Sequence, residues 1–315
     1  MTTLKDVADQ AHVSRMTVSR VINHPDKVTD EVKQLVYQAM KSLDYHPNAM
    51  ARALVNNRTQ IVKLLVLEEM TTVEPYYMNL LTGISKELEE HQYALQLVTE
   101  NSFEIGTCDG YIITGMRHED YQWIKELKLP FVLFGENRYG YDFVDSDNKM
   151  GGQLGTEYAI KRGYEHLIYV GIDLAEPFEY SREAGYLQTM QENGLEPQII
   201  RSDNHSTQIQ SFVMEHWNDY PENTAFVCAS DRLALGVERA ILAQGGSLPD
   251  QYGVIGHDGV FLDQVAFPQL TTVKQEVDKM GGLCAKMLLE KIKNNNQAQG
   301  QCVIAPQLIV RDSTK

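Results

Sequence analysis

Apolar positions follow two different periods along this chain, and the change of period divides it. Over roughly the first 45 residues, apolar side chains recur at spacings of three and four. Leu4, Val7, Ala8 and Ala11 share one face, Val18, Val21 and Ile22 a second, and Val32, Leu35, Val36, Ala39, Met40 and Leu43 a third. The polar residues between them mark where each helix begins. Thr3-Leu4-Lys5-Asp6 has the layout of a capping box, His12-Val13 supplies a turn, Ser14 can cap the next helix, and Thr29 followed by Asp30 and Glu31 opens the third. Three short helices sharing an aliphatic core form a helix-turn-helix unit. Arg15, Met16, Thr17, Ser19 and Arg20 are left on the outer side of its second helix.

Beyond residue 60 the pattern becomes compact apolar runs separated by amphipathic stretches. Strands are predicted at 61–67, 93–98, 109–115, 131–135, 166–171, 225–230 and 252–258. The clearest helices are predicted at Asn148–Arg162, Tyr180–Asn193, Asp231–Gln244 and Val277–Lys293. Such alternation is the mark of a doubly wound parallel α/β fold. Between the two regions Pro47 stops one pattern, Asn48 can cap a new turn, and residues 49–54 favour helix over a span too short to hold one alone. The chain thus divides into a head (1–46), a hinge helix with linker (47–59) and a body (60–315).

Charge sharpens this division. The net charge of −15 argues against nucleic acid as a partner. Residues 1–58, however, carry eight cations against six acids, a balance of +2 that leaves −17 for the remainder. A small DNA-binding head on an acidic body has this asymmetry. The four cysteines are far apart, without CxxC or histidines at ligand spacing, so neither disulfide nor metal site is expected. No run of about 18 apolar residues and no export-type N-terminus occurs, which predicts a cytoplasmic protein without membrane contact. GxSxG, HExxH, GxxxxGK[ST] and GxGxxG after a strand are missing, so no catalytic residue is assigned. GGQLG at 151–155 is read as helix packing rather than a nucleotide loop.

Residues 3–54 carry the most specific signal. The string includes VSRMTVSRVIN and YHPNAMARAL, and it resembles the DNA-binding head of the lac and gal repressor family almost position by position. The resemblance implies that the second helix enters the major groove of a pseudo-palindromic operator. Arg15 and Met16 then face bases, with Thr17, Ser19, Arg20 and Asn23 mainly on phosphates or flanking bases. It likewise gives DNA contacts to Thr3, Leu4, Ser14, Tyr45, Asn48 and Ala51. Leu54 is the residue that wedges into the minor groove when two hinge segments meet over bent DNA.

For the body, the resemblance implies a two-lobed effector domain like the periplasmic sugar-binding proteins. The expected lobes are about 60–144 with 275–300, and 145–274 with 301–315. Ligands of open α/β sheets sit at the carboxyl ends of strands, so two facing lobes would enclose one cleft. Family positions that hold the effector match Arg182, Asp231 and Asp258. Ser230 stands where many members have asparagine, and Tyr76 or Tyr77 follows a proline at the start of the first body helix. A guanidinium and a carboxylate together can grip neighbouring sugar hydroxyls. The implied protein is a homodimeric repressor without cofactor, released from DNA by a small effector, most simply a sugar. A purine or a phosphocarrier protein as co-repressor is the alternative, and a sugar-processing enzyme of the same fold class the remote one. Three departures stand out. The segment between Val98 and Cys108 is short by most of a helix, no aromatic lies near Asn204-His205, and no heptad extension follows Val310, which favours a dimer over a tetramer.

Overall fold

A computed structural model describes residues 2–23, 27–45, 58–68, 75–99 and 106–315. The head contains α1 (Leu4–Gln10), α2 (Arg15–Asn23) and α3 (Asp30–Ser42), closed around Val7, Val18, Val21 and Val36, all fully buried. The capping box forms: the Asp6 amide donates to the Thr3 hydroxyl, and the Thr3 amide donates to the Asp6 carboxylate at 2.8 Å. Ser14 accepts from the Thr17 amide at 3.0 Å and so caps α2. Thr29 occupies the cap position of α3 without a side-chain bond, and Asp30 pairs with Lys33 instead. His12 takes a left-handed φ of 53° and turns the chain between α1 and α2. Leu35 departs from its expected inward position and is 51% exposed. The inward stripe of α3 runs through Val32, Val36, Ala39, Met40 and Leu43, and Leu35 lies beyond its edge. The expected hinge residues Asn48, Ala51 and Leu54 lie outside the described residues.

The body is a separate unit beginning at Ile61. Its strands are β1 (Ile61–Val66), β2 (Ala94–Thr99), β3 (Gly110–Thr114), β4 (Phe131–Phe134), β5 (Phe143–Ser146), β6 (His166–Ile172), β7 (Gln198–Ser202), β8 (Thr224–Cys228), β9 (Tyr252–Asp258), β10 (Thr271–Lys274), β11 (Gln301–Ile304) and β12 (Gln307–Ile309). Its helices are α4 (Pro75–Glu90), α5 (Tyr121–Ile124), α6 (Asn148–Lys161), α7 (Pro177–Glu192), α8 (Ser206–Glu215), α9 (Asp231–Ala243), α10 (Leu262–Val265) and α11 (Val277–Lys293).

The strands form two sheets, one in the order β11-β5-β4-β3-β1-β2 and the other β12-β10-β9-β8-β6-β7. All described pairs are parallel except β10 with β12. Buried on both faces, the central strands are near-continuous aliphatic runs, which is why they were visible in the sequence. The chain crosses between sheets three times, at 146–148, 274–277 and 304–307. Two of these crossings differ from the expected lobe limits of 144 and 300. Gln301–Ile304 pairs in parallel with Phe143–Ser146, so both segments end in the first sheet. The buried Asp142 fixes this corner: it pairs with Lys291 and accepts from the Gln299 and Gly300 amides at 2.9 and 2.6 Å.

GGQLG lies inside α6, where it packs against α7. A Cβ on Gly152 would overlap the Arg182 carbonyl oxygen, and one on Gly185 would overlap the Lys149 carbonyl. The glycines therefore let two backbones touch. Gly152→Val is expected to cost about 2–3 kcal/mol or more by overpacking, read as a lowered Tm of the body. Between β2 and β3 the described residues 106–109 hold no helix, and 100–105, where the expected shortening falls, lie outside the description.

Candidate functional site

The carboxyl ends of both sheets face one another across a cavity of about 510 Å³. From the first lobe, residues at or just past strand ends reach it: Glu68 after β1, Arg117 after β3, Glu136 after β4 and Asp145 in β5. The second lobe contributes Phe178, Tyr180 and Arg182 from the first turns of α7, Ser230 ahead of α9, and Asp258 at the end of β9. Pro177 at the start of α7 suits a helix whose first amide has no partner to find. Aromatic rings form much of the wall, notably Tyr76, Tyr77, Phe134, Tyr139, Phe178 and Tyr180.

Arg182 is a firmly anchored charge in the cleft. Only 7% exposed, it donates from Nε to Asn148 Oδ1 at 2.9 Å and from a terminal nitrogen to the Ala229 carbonyl at 2.6 Å. Its guanidinium lies 5.1 Å from the Phe178 ring centre. Asn148 in turn donates to Asp145 at 2.9 Å, so a chain of hydrogen bonds runs from β5 across the first crossing to α7. Burial pushes Asp145 up to about 6, against the opposing pull of the Glu136 and Ser146 amides and of Arg182. Behind Arg182, burial raises Glu179 to about 7 and, with Arg182, holds His257 well below its ordinary value and neutral. Burial, reinforced by Asp145 and Asp258, raises the Tyr76 phenol well above 10, so it remains a hydrogen-bond donor.

The sequence-derived effector residues fall into distinct places. Tyr76, Tyr77, Arg182, Ser230 and Asp258 all line the main cavity. Tyr77 donates to Glu68, and Asp258 accepts from Gln275 at 2.9 Å. Ser230 caps α9 by accepting from the Leu233 amide at 3.1 Å while donating to Asn204 at 2.7 Å. Asp231 is turned into the sheet, where it accepts from the Gly259 amide at 2.8 Å and the Thr272 hydroxyl at 2.6 Å. Burial and the neighbouring Asp258 hold its carboxyl well above the ordinary range. It reaches only a second cavity of about 350 Å³ beside the first.

Several cleft residues were missed at the level of sequence. Glu68, Arg117 and Glu136 follow strands predicted from sequence, so the strand-end rule would have found them had it been applied to every strand, whereas Asp145 lies in a strand that the pattern did not show. Two of them, with Arg138, approach the opposite lobe: Ser181 donates to Glu136 at 2.6 Å, Arg117 stands 3.9 Å from Glu176, and Arg138 lies 5.6 Å from the Tyr180 ring centre.

In the head, Ser14, Arg15, Met16 and Arg20 are exposed on α2, with Met16 at 71%. Thr17 and Ser19 are half-buried beside them, and Asn23 ends the helix. Thr3 is exposed and engaged in its cap, whereas Leu4 and Tyr45 pack partly against the head core.

Comparison with known proteins agrees with both halves. Residues 3–48 match the bacterial regulatory proteins of the lacI family, and residues 156–314 match a periplasmic binding protein-like domain. The chain is 53% identical over 315 residues to an HTH-type transcriptional regulator of Bacillus subtilis, YvdE, with 100% of each covered. It is 27% identical over 336 residues to the ribose operon repressor of Halalkalibacterium halodurans, covering 100% of this chain and 98% of that protein. Among solved structures, the transcriptional regulator CelR–cellobiose complex matches with a TM-score of 0.74 at 27% identity, over 99% of this chain and 100% of that one. The lac repressor dimer bound to operator and the anti-inducer ONPF matches in fold with a TM-score of 0.73 at 22% identity, over 99% of each chain.

Proposed function

The chain belongs to the lacI family of transcriptional regulators, and from that membership we propose that it is a homodimeric repressor whose hold on a pseudo-palindromic operator is relaxed by a sugar. The observation that carries the effector class is the composition of the cleft. Arg182, Asp145, Asp258 and the Tyr76 phenol converge between aromatic walls. Charged donors and acceptors suit a ring of hydroxyls, each of which donates and accepts, while aromatic faces suit the apolar C–H face of the same ring. In the head, Arg15 can take the O6/N7 edge of a guanine, worth about 1–3 kcal/mol of discrimination, and Met16 can touch a thymine methyl. Two heads joined in one dimer then read two half-sites, with Leu54 of each hinge inserted in the minor groove between them.

Exposed Val265 and Phe267 in the second lobe support self-association. Phe267 alone is 88% exposed, a costly placement unless a second copy covers it.

The test is operator release, followed by fluorescence anisotropy with full-length protein and a labelled palindromic duplex, while sugars, sugar phosphates and purines are added. A sugar should weaken operator binding by about 5–150-fold, the range of ordinary allosteric coupling. Response to a purine alone would instead make the protein co-repressor dependent. The same titration has a pH arm. An ionised Asp145 is the stronger acceptor for a sugar hydroxyl, so sugar affinity should rise from pH 5.5 to 7.5 through its pKa of about 6. Asp145→Asn should flatten that dependence. The linked effect on the empty protein has the opposite sign. A carboxyl pKa raised from 3.8 to about 6 stabilises the fold at low pH and loses that contribution as pH rises through the window.

A further inference from the structure

The second cavity adjoins the first, and Tyr76, Asn204 and Asp258 line both. The shared residues form a neck with a donor phenol, an amide and a carboxylate. Beyond it the second chamber has two kinds of wall. Leu235, Val260, Phe261 and Leu262 supply an apolar side, and His205, Ser206, Thr207, Arg232 and Arg239 a polar one. Arg232 donates to the Asn204 carbonyl at 3.3 Å, which ties the polar wall to the neck.

Extending the reading of the main cavity as a sugar site, the geometry points to a linear oligosaccharide as the effector, one ring in the aromatic chamber and a further ring past Tyr76 in the second chamber. The second chamber repeats the chemistry of the first: an aromatic and aliphatic face for ring C–H groups, opposed by groups that donate and accept. The lining sets Arg232 and Arg239 against Asp258, so an anionic group is the competing occupant that a glucose 6-phosphate titration separates from a neutral ring. A single hexose would leave the second chamber to water, whereas a chain running past Tyr76 reaches both. Volume agrees, since about 510 Å³ and about 350 Å³ each fall within the ordinary size of a ligand pocket.

The test is isothermal titration calorimetry of the full-length protein with glucose, then the α-linked series maltose and maltotriose and the β-linked series cellobiose and cellotriose. In one series affinity should rise at least tenfold from glucose to the longer sugars. Thr207→Trp, placed at an exposed position of the second chamber, should erase the gain from the outer ring while leaving glucose affinity within twofold. Arg239→Gln, which changes the polar wall without adding bulk, should reduce the same gain. Equal affinity along both series, or equal loss for every length in Thr207→Trp, would overturn the extended site while leaving a sugar regulator intact. Preference for glucose 6-phosphate that vanishes in Arg239→Gln would overturn it in favour of an anion chamber. Failure of every sugar both to bind and to release operator would remove the sugar reading itself.

Discussion

Arg182→Ala is expected to leave operator binding intact and to abolish release by the effector. The guanidinium faces the cavity from a buried seat, and charged hydrogen bonds of this kind contribute about 1.5–3 kcal/mol each. Removing it should weaken the sugar about 10–100-fold or more, beyond the range in which the allosteric shift is visible. The variant also strips partners from Asn148 Oδ1 and the Ala229 carbonyl, both of which then lie in a water-poor interior. A drop in Tm therefore accompanies the loss of response. Arg182→Lys separates the two effects, because an ammonium keeps the charge but cannot bond Asn148 and Ala229 with the same planar fork. Calorimetric titration of each variant alongside operator anisotropy checks this. Retained release in Arg182→Ala would place the site elsewhere.

The second large effect concerns assembly. Phe267→Asp puts a charge into the exposed apolar segment that holds Val265 and Phe267. Burying that charge against a second copy would cost several kcal/mol, so analytical ultracentrifugation should find monomers at concentrations where the parent is a dimer. Operator affinity should fall by about 100-fold or more, since the second half-site is no longer engaged at high effective concentration. Sugar binding in the cleft of each chain should persist. A Phe267→Asp protein that still sediments as a dimer would move the interface to another face.

The head was readable from sequence because its determinants are local. A cap, a turn residue and apolar spacing of three or four lie within a few positions of one another, and Thr3, His12 and Ser14 perform those roles in the structure. The central strands were readable for a similar reason, since burial on both faces makes each a continuous aliphatic run. Four short strands were not, two of them at sheet ends and two next to them. FVDS, QIIRS, TTVK and QCVI are four or five residues long and carry polar side chains. Their strand character comes from neighbours distant in the chain. Gln301–Ile304 becomes a strand only because Phe143–Ser146 offers it an edge, and the lobe limits shifted with that pairing.

The cleft divided along the same line. Arg182 and Asp258 sit in recognisable contexts at a helix start and a strand end. Asp145 is one acid among several in YDFVDSDN, and its special place comes from burial and from Asn148, neither of which a spacing rule detects. Asp231 shows the converse. It matches a position associated with ligands, yet in this chain it is turned towards Gly259 and Thr272 and lines the smaller cavity rather than the main one.

The triple connection between the lobes has a mechanical consequence. One strand of chain would let two bodies swivel and slide as well as open. Three, at 146–148, 274–277 and 304–307, resist torsion and shear and leave bending as the soft coordinate. Asn148 sits on the first of these pivots with a bond to each side, so whatever pulls Arg182 and Asp145 together loads the pivot directly. Work done by a captured molecule is then channelled into a single angle, which is the kind of output that a paired assembly can register as a choice between two postures.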